Sequence, residues 1–210
     1  TPFLAAASRA NQLTLLDGRT FTHQLLPVPP NVSLLLVDSG ERELTAVLRE
    51  RDRECGAATA VLRQHLPHIQ TLRDVSQDEL DLLGHHLPDT LRRRATHVVG
   101  ECARVQAAAT ALRAGDVATL GRLLRQSHLS LRDNYEASNP ALDLLAATAW
   151  AAPGCLGARL GSNGFLQVLV EDEAMPQVLE KLNEVFVGDY GRTLPTLLTK
   201  FTHGAQTTTN

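Results

Sequence analysis

Two polar segments in the second half of the chain constrain its fold more than any other feature. The first, residues 126–143, predicts the end of one helix, a polar loop and the start of another helix. Ser138 or Asn139 is suited to cap the second helix, and Pro140 fits its first turn, where a missing N–H costs nothing. This segment therefore predicts two consecutive helices joined by an ordered loop.

The second segment, residues 157–165, predicts a tight connection between a strand that ends near Leu160 and one that begins near Phe165. The connection consists of residues that tolerate positive φ or close backbone approach: Gly161, Ser162, Asn163 and Gly164. Two short strands joined in this way indicate an antiparallel hairpin.

The rest of the chain supplies further strands and amphipathic helices. Asp17-Gly18 predicts a hairpin turn between strands near 12–16 and 20–26, and the apolar run 32–37 predicts a buried strand. Helical spacing of apolar residues covers 43–65 and a long stretch that ends at Gly115. Another helix over 173–187 and a last strand over 194–201 follow the two segments. Together these elements predict an α+β fold.

Composition excludes several classes of function. The 210 residues carry a net charge of −3 without a basic patch, so we expect no nucleic-acid partner. No apolar run approaches membrane-span length, so we expect no membrane partner. The three cysteines are widely spaced, which argues against a disulfide framework and favours a cytoplasmic location.

Histidine pairs are the other candidates for chemistry. His65 with His68, and His85 with His86, have no carboxylate or cysteine at a matching spacing, so we expect solvated side chains and no metal site. His128 is expected to hydrogen-bond the loop at the end of its helix, with Arg132 and Asp133 ordering the same loop.

Residues 126–143 resemble a galactokinase pattern, Ser-His-x-Ser-Leu-Arg-Asp-x-Tyr-x-x-Ser-x-Pro-x-Leu-Asp, at nearly every fixed position. Residues 94–105 resemble a second galactokinase pattern, Arg-Ala-x-His-Val-Val-x-Glu-x-x-Arg-Val. Galactokinases belong to the GHMP family of small-molecule kinases, and the resemblance is to their C-terminal half. It implies a ferredoxin-like α/β sandwich with added helices.

The same resemblance implies a division of the chain. Residues 1–42 are expected to be a remnant of the N-terminal GHMP domain with connecting strands, and 43–95 a helical connection. Residues 96–203 are expected to form the GHMP C-terminal domain, and 204–210 a flexible tail. Because the chain starts at Thr1 and its one methionine is Met175, we expect a processed product or part of a longer chain.

The resemblance implies ATP-dependent phosphoryl transfer to the anomeric hydroxyl of galactose, with Mg²⁺ as cofactor. The family's Ser-rich phosphate loop and its catalytic aspartate have no counterpart in these 210 residues. We therefore assign no catalytic residue to this chain and expect it to bind no ATP or Mg²⁺ alone. The sequence leaves open whether this chain is itself an enzyme.

Of the three motifs that GHMP kinases share, the glycine loop has a counterpart here. The family has Ala-Arg-Met-Thr-Gly-x-Gly-Phe-Gly-Gly where this chain has residues 158–167, and Leu166 and Gln167 replace the closing glycines. The resemblance places these residues near nucleotide or substrate: Arg159, Gly161, Ser162, Asn163, Gly164 and Phe165. Two interpretations stay open, a β-turn without a ligand and a weakened remnant of a phosphate-facing loop.

A second site position lies on the helix over 43–65. Its Arg51, Glu54 and Cys55 match the family, but Leu48 stands where galactokinases have a tyrosine against the sugar. Leucine keeps the apolar surface and loses the hydroxyl. The altered positions support two hypotheses, the inactive C-terminal portion of a sugar kinase and a non-catalytic sugar-binding or regulatory subunit. A gene fragment without function is a third.

Overall fold

The computed structural model describes residues 9–40, 44–161 and 164–199. The strands in these ranges are β1 (Gln12–Leu16), β2 (His23–Pro27), β3 (Val32–Val37), β4 (Cys155–Leu160), β5 (Leu166–Glu171) and β6 (Thr196–Thr199). The helices are α1 (Leu44–Leu62), α2 (Gln77–Leu83), α3 (Asp89–Ala114), α4 (Val117–Asp133), α5 (Pro140–Ala151) and α6 (Met175–Tyr190). Single 3₁₀ turns occur at Leu72–Asp74, Gly84–His86 and Asp172–Ala174.

Four strands form an antiparallel sheet in the order β4-β5-β3-β6. Along the chain these strands and the helices between them follow the βαββαβ order of a ferredoxin-like domain. Helices α5 and α6 pack on this sheet and share its main hydrophobic core. The predicted α+β, ferredoxin-like fold is therefore confirmed.

Strand β3 lies in the middle of this sheet. It pairs with β5 from Val32 opposite Glu171 to Val37 opposite Leu166. The sequence places this strand within residues 1–42, whereas the structure joins it to strands of the segment 96–203. The division into domains stays a prediction, and the predicted tail 204–210 lies outside the described residues.

The hairpin β1–β2 is tied to the 3₁₀ turn Leu72–Asp74 by two ion pairs. Arg19 lies 2.7 Å from Asp74, and Arg73 donates to Asp17. Asp17 also accepts the backbone N–H groups of Arg19 and Thr20, which holds Thr20 in the turn. The second strand therefore begins at His23, three residues later than the sequence predicts.

Several predicted helix ends are confirmed in atomic detail. Ser76 and Glu79 form a capping box at α2, and Asp116 accepts the Thr119 N–H at 2.9 Å at the start of α4. Asn139, one of the two candidates, caps α5 by accepting the Leu142 N–H at 2.9 Å. The other candidate, Ser138, donates to Asp143 at 2.6 Å.

Helix α4 runs along the open edge of β4. The peptide N–H of Leu160 donates to His128 Nδ1 at 3.1 Å, and Trp150 Nε1 donates to the Ala158 carbonyl at 3.1 Å. These side chains satisfy backbone groups that an edge strand would otherwise leave unpaired. The approach is close enough that Gly121 lies directly against the Leu156 carbonyl.

A separate hydrophobic cluster joins α1, α2 and α3. It contains Ala58, Leu62, Ile69, Leu72, Val75, Leu80, Leu87, Ala95 and Val99. The helical segment that follows β3 therefore has apolar packing of its own. None of the helices in the described ranges is both long and apolar enough to cross a membrane.

Candidate functional site

The predicted glycine loop lies at the end of the sheet where β3 and β4 finish and β5 begins. Leu166 pairs with both Val37 and Leu160, so Asp38, which follows Val37, lies beside the loop. The Gly161 N–H donates to the Phe165 carbonyl at 2.9 Å. The hairpin prediction is thus confirmed, and the same end of the sheet holds the residues that follow β3.

The loop itself contains a turn. The Gly164 N–H donates to the Gly161 carbonyl at 3.1 Å, and Gly164 has φ +83°. This backbone conformation favours glycine at position 164, as the sequence indicates. Ser162 and Asn163 lie outside the described residues, so their assignment stays a prediction.

Arg159 contacts α3 through its guanidinium group. Its Nη1 lies 3.7 Å from Glu101, which also accepts from Ser127 at 2.8 Å and from Arg104. Although burial opposes it, hydrogen bonds from Arg104 and Ser127 lower the pKa of Glu101. Arg159 therefore links the β4 end of the loop to the two predicted motifs on α3 and α4.

Leu48 lies in the first half of α1 and packs against the main core. Val47 and Tyr135 pack against the same core. Its assignment as the sugar-proximal position stays a prediction. The structure shows the Leu48 side chain partly buried against this core.

A basic residue missed by the sequence analysis lies at the same end of the sheet. Arg192 donates to the Ser39 carbonyl at 2.7 Å, and its guanidinium lies 5.3 Å from the centre of the Phe186 ring. Gly40, with φ +79°, lies under the same guanidinium. A lone arginine after a helix carries no sequence signal, because only the fold brings it to Ser39.

Arg94 is the main organiser of the loop after α4. It is 1% exposed and donates to Glu54 at 2.6 Å, to the Asn134 carbonyl at 2.6 Å and to Glu136 at 2.7 Å. Arg132 and Asp133, which were expected to order this loop, pair with each other at the surface instead. Their effect on the loop stays a prediction, whereas Arg94 reaches the loop directly from α3.

His97 is a buried histidine on α3. Its ring stacks on Tyr135 with 4.4 Å between centroids, and its Nδ1 lies 3.1 Å from the Ser130 hydroxyl. Burial lowers the pKa of His97 from 6.5 to about 4. The neutral imidazole is therefore the form that the folded chain holds near neutral pH.

We expect this histidine to make the chain sensitive to acid. Below pH 6.5 the unfolded chain takes up a proton at His97, while the folded chain resists it until pH about 4. The free energy of unfolding should therefore fall by about 3 kcal/mol across this window. His97→Phe keeps a ring on Tyr135 but cannot be protonated. In urea titrations its free energy of unfolding should therefore fall by about 3 kcal/mol less than that of the parent over the same pH window. Parallel pH curves for the two proteins would contradict this account.

The three cysteines are free and partly buried, and three further histidine rings lie against one another. Cys55, Cys102 and Cys155 are free thiols, and burial raises the pKa of Cys155 to about 11. His65 stacks on His86 with 4.0 Å between centroids, and His85 lies beside His86, a grouping that the sequence did not predict. Within residues 9–40, 44–161 and 164–199, no group of three His, Cys, Asp or Glu side chains is placed to hold a metal ion.

Comparison with known proteins shows what kind of chain has this fold and these motifs. No protein-family model matches the chain. A homoserine kinase from Cytophaga hutchinsonii shares the fold, with a TM-score of 0.50 and 15% identity over 92% of this chain and 49% of that one. The galactokinase of Lactococcus lactis, solved with galactose, superposes with a TM-score of 0.87 and 29% identity over 93% of this chain and 52% of that one. The fold is thus that of a small-molecule kinase domain.

Curated relatives point to one kinase. The galactokinase of a Roseiflexus species is 42% identical over 90% of this chain and 50% of its own length. Human galactokinase is 34% identical over 97% of this chain and 51% of its own length. The chain is therefore homologous to galactokinases over nearly its whole length, and it spans about half the length of the curated relatives that it matches.

Proposed function

We propose that the chain is the C-terminal portion of a galactokinase-like, ATP-dependent sugar kinase and is inactive by itself. The observation that carries this proposal is the combination of galactokinase homology along nearly the whole chain with an intact hairpin at the glycine loop. In this proposal the loop and α1 form one wall of the site for galactose. An N-terminal GHMP half, in the same or another chain, supplies the phosphate loop and the catalytic aspartate.

The replaced glycines of the loop are compatible with this proposal. Leu166 is fully buried in the main core, and Gln167 lies within β5 opposite Arg159. Both residues therefore lie in β5, outside the turn that the backbone bond between Gly164 and Gly161 closes.

Exposed apolar side chains on the edge strand β6 favour the proposal that this chain has a partner. Leu197 and Leu198 project to opposite sides of the strand and are 58% and 50% exposed. One exposed leucine on each face of this strand is apolar area that a partner element would bury. We infer that this edge lies near the contact with the N-terminal half.

ATP and Mg²⁺ enter the proposal as the phosphoryl donor and its cofactor. Mg²⁺ binds through carboxylates and phosphate oxygens. We assign no residue of this chain to the metal or to the ATP phosphates. The part assigned to this chain is to position the sugar and to shape the cavity around it.

A second function, a non-catalytic sugar-binding or regulatory subunit, is favoured by Leu48 at the tyrosine position. Isothermal titration of the chain, first with galactose and then with Mg-ATP, separates the two. The kinase-portion proposal predicts no heat for either ligand. Saturable galactose binding without ADP release would support the subunit instead, and galactose-dependent ADP release by the chain alone would contradict both.

A further inference from the structure

We propose that His128 is a positioning residue that fixes the glycine loop by holding the backbone of Leu160. The inference deepens the proposed function, since it assigns to one side chain the placement of the loop that would face the substrate. It links the motif over 126–143 to the motif over 157–165 through one direct hydrogen bond.

The hydrogen bonds of His128 define its tautomer. The side chain is fully buried, and its Nδ1 lies 3.1 Å from the peptide nitrogen of Leu160. A peptide N–H only donates, so Nδ1 is the acceptor and the imidazole proton is on Nε2. Nε2 lies 3.1 Å from Asp143 Oδ1, to which it donates. Each ring nitrogen thus has one partner, on β4 and on α5.

A hydrogen bond to Leu160 restrains the backbone directly beside the loop. It is the last residue of β4, and the next N–H, that of Gly161, closes the loop on Phe165. Because β4 is an edge strand, β5 holds only one of its sides. His128 holds the other side at Leu160, and Trp150 holds it two residues earlier at Ala158.

The same contacts explain why the polar residues of the first motif have their spacing. Asp143 accepts from Ser138 at 2.6 Å as well as from His128, so the carboxylate joins the loop after α4 to the imidazole. The His128 and Trp150 rings are nearly perpendicular, with 5.4 Å between centroids at 80°. These groups leave the imidazole a single orientation, with Nδ1 directed at β4.

Two variants separate the two hydrogen bonds of His128. His128→Asn places an amide oxygen near the position of Nδ1 and keeps an acceptor for Leu160, but it loses the bond to Asp143. His128→Gln places an amide nitrogen near Nε2 and keeps the donor to Asp143, but it loses the acceptor for Leu160. Both variants remove the ring, so each serves as the control for the packing loss of the other.

Amide hydrogen exchange measured by NMR gives the readout. In His128→Gln, exchange of the Leu160, Gly161 and Gly164 amides should accelerate about tenfold more than in His128→Asn, as expected for one lost hydrogen bond. The amides of the β1–β2 hairpin should differ between the variants by less than about twofold. Equal acceleration in both variants, or acceleration spread over the whole chain, would overturn the proposal.

A measurement on the unaltered chain keeps the proposal testable if a variant does not fold. The nitrogen chemical shifts of the His128 ring should show an unprotonated Nδ1 and a protonated Nε2. The opposite tautomer would overturn the proposal. Neither experiment uses galactose or ATP, so a failure here is distinguishable from a failure of the proposed function.

Discussion

Gly121→Ala is expected to destabilise the chain by about 3 kcal/mol or more, because no space exists for a methyl group. A Cβ at this position would lie 1.7 Å from the Leu156 carbonyl oxygen, and one at Gly157 would lie 2.7 Å from the Gly121 carbonyl oxygen. Both obstacles are backbone atoms, so relief requires α4 to move away from β4. Urea unfolding followed by circular dichroism measures the loss.

Gly56→Ala is the matched control for this substitution. Gly56 lies inside α1, and nothing comes within 4 Å of a Cβ placed there. Alanine in a helix interior is more stable than glycine by about 0.5–1 kcal/mol, so this variant should be slightly more stable than the parent. If the two variants differed by less than about 1 kcal/mol, the close contact of α4 and β4 would be disproved.

Arg94→Met is expected to cost about 3–5 kcal/mol, since it removes the buried partner of several groups at once. Glu54 and Glu136 lose their shortest ion pairs, and the Asn134 carbonyl loses its donor. Although burial opposes it, the Arg94 and Arg51 hydrogen bonds lower the pKa of Glu54, so the loss of Arg94 raises this pKa and leaves Arg51 as the partner of the carboxylate. Calorimetric unfolding at neutral pH gives the difference.

Arg92→Met is the control on the same helix. Arg92 pairs with Asp89 at 2.7 Å, and both side chains are largely exposed, so the substitution should cost less than about 0.5 kcal/mol. Equal melting temperatures for Arg94→Met and Arg92→Met would show that the buried network does not hold the loop after α4.

The sequence predicted those parts of the fold that depend on local rules. The hairpin turn at Asp17, the capping box at Ser76 and the αL glycine at 115 follow from the chemistry of a few neighbouring residues. The resemblance to galactokinases supplied the ferredoxin-like architecture. The spacing of apolar residues and the composition alone specified only an α+β fold. The extent of the segment 126–143 also came from this resemblance, because the family pattern has its polar residues at fixed positions.

The contacts that build the candidate site were not predictable in the same way. Arg94 lies 40 residues from both Glu54 and Asn134 along the chain. A buried arginine on a helix has the same local pattern as an exposed one, so its role appeared only in the fold. His128 was expected to hydrogen-bond the loop at the end of its helix, whereas its partners are the Leu160 N–H on β4 and Asp143 on α5, which depend on how α4 meets the edge of β4.

The measurement that most directly tests the central claim is ADP release by a chimera. In it, the N-terminal half of the Roseiflexus galactokinase is fused ahead of this chain, which shares 42% identity with that relative. The proposed function predicts ADP release that depends on galactose in the chimera and none in the chain alone. A folded chimera without turnover, or turnover by the unfused chain, would contradict it.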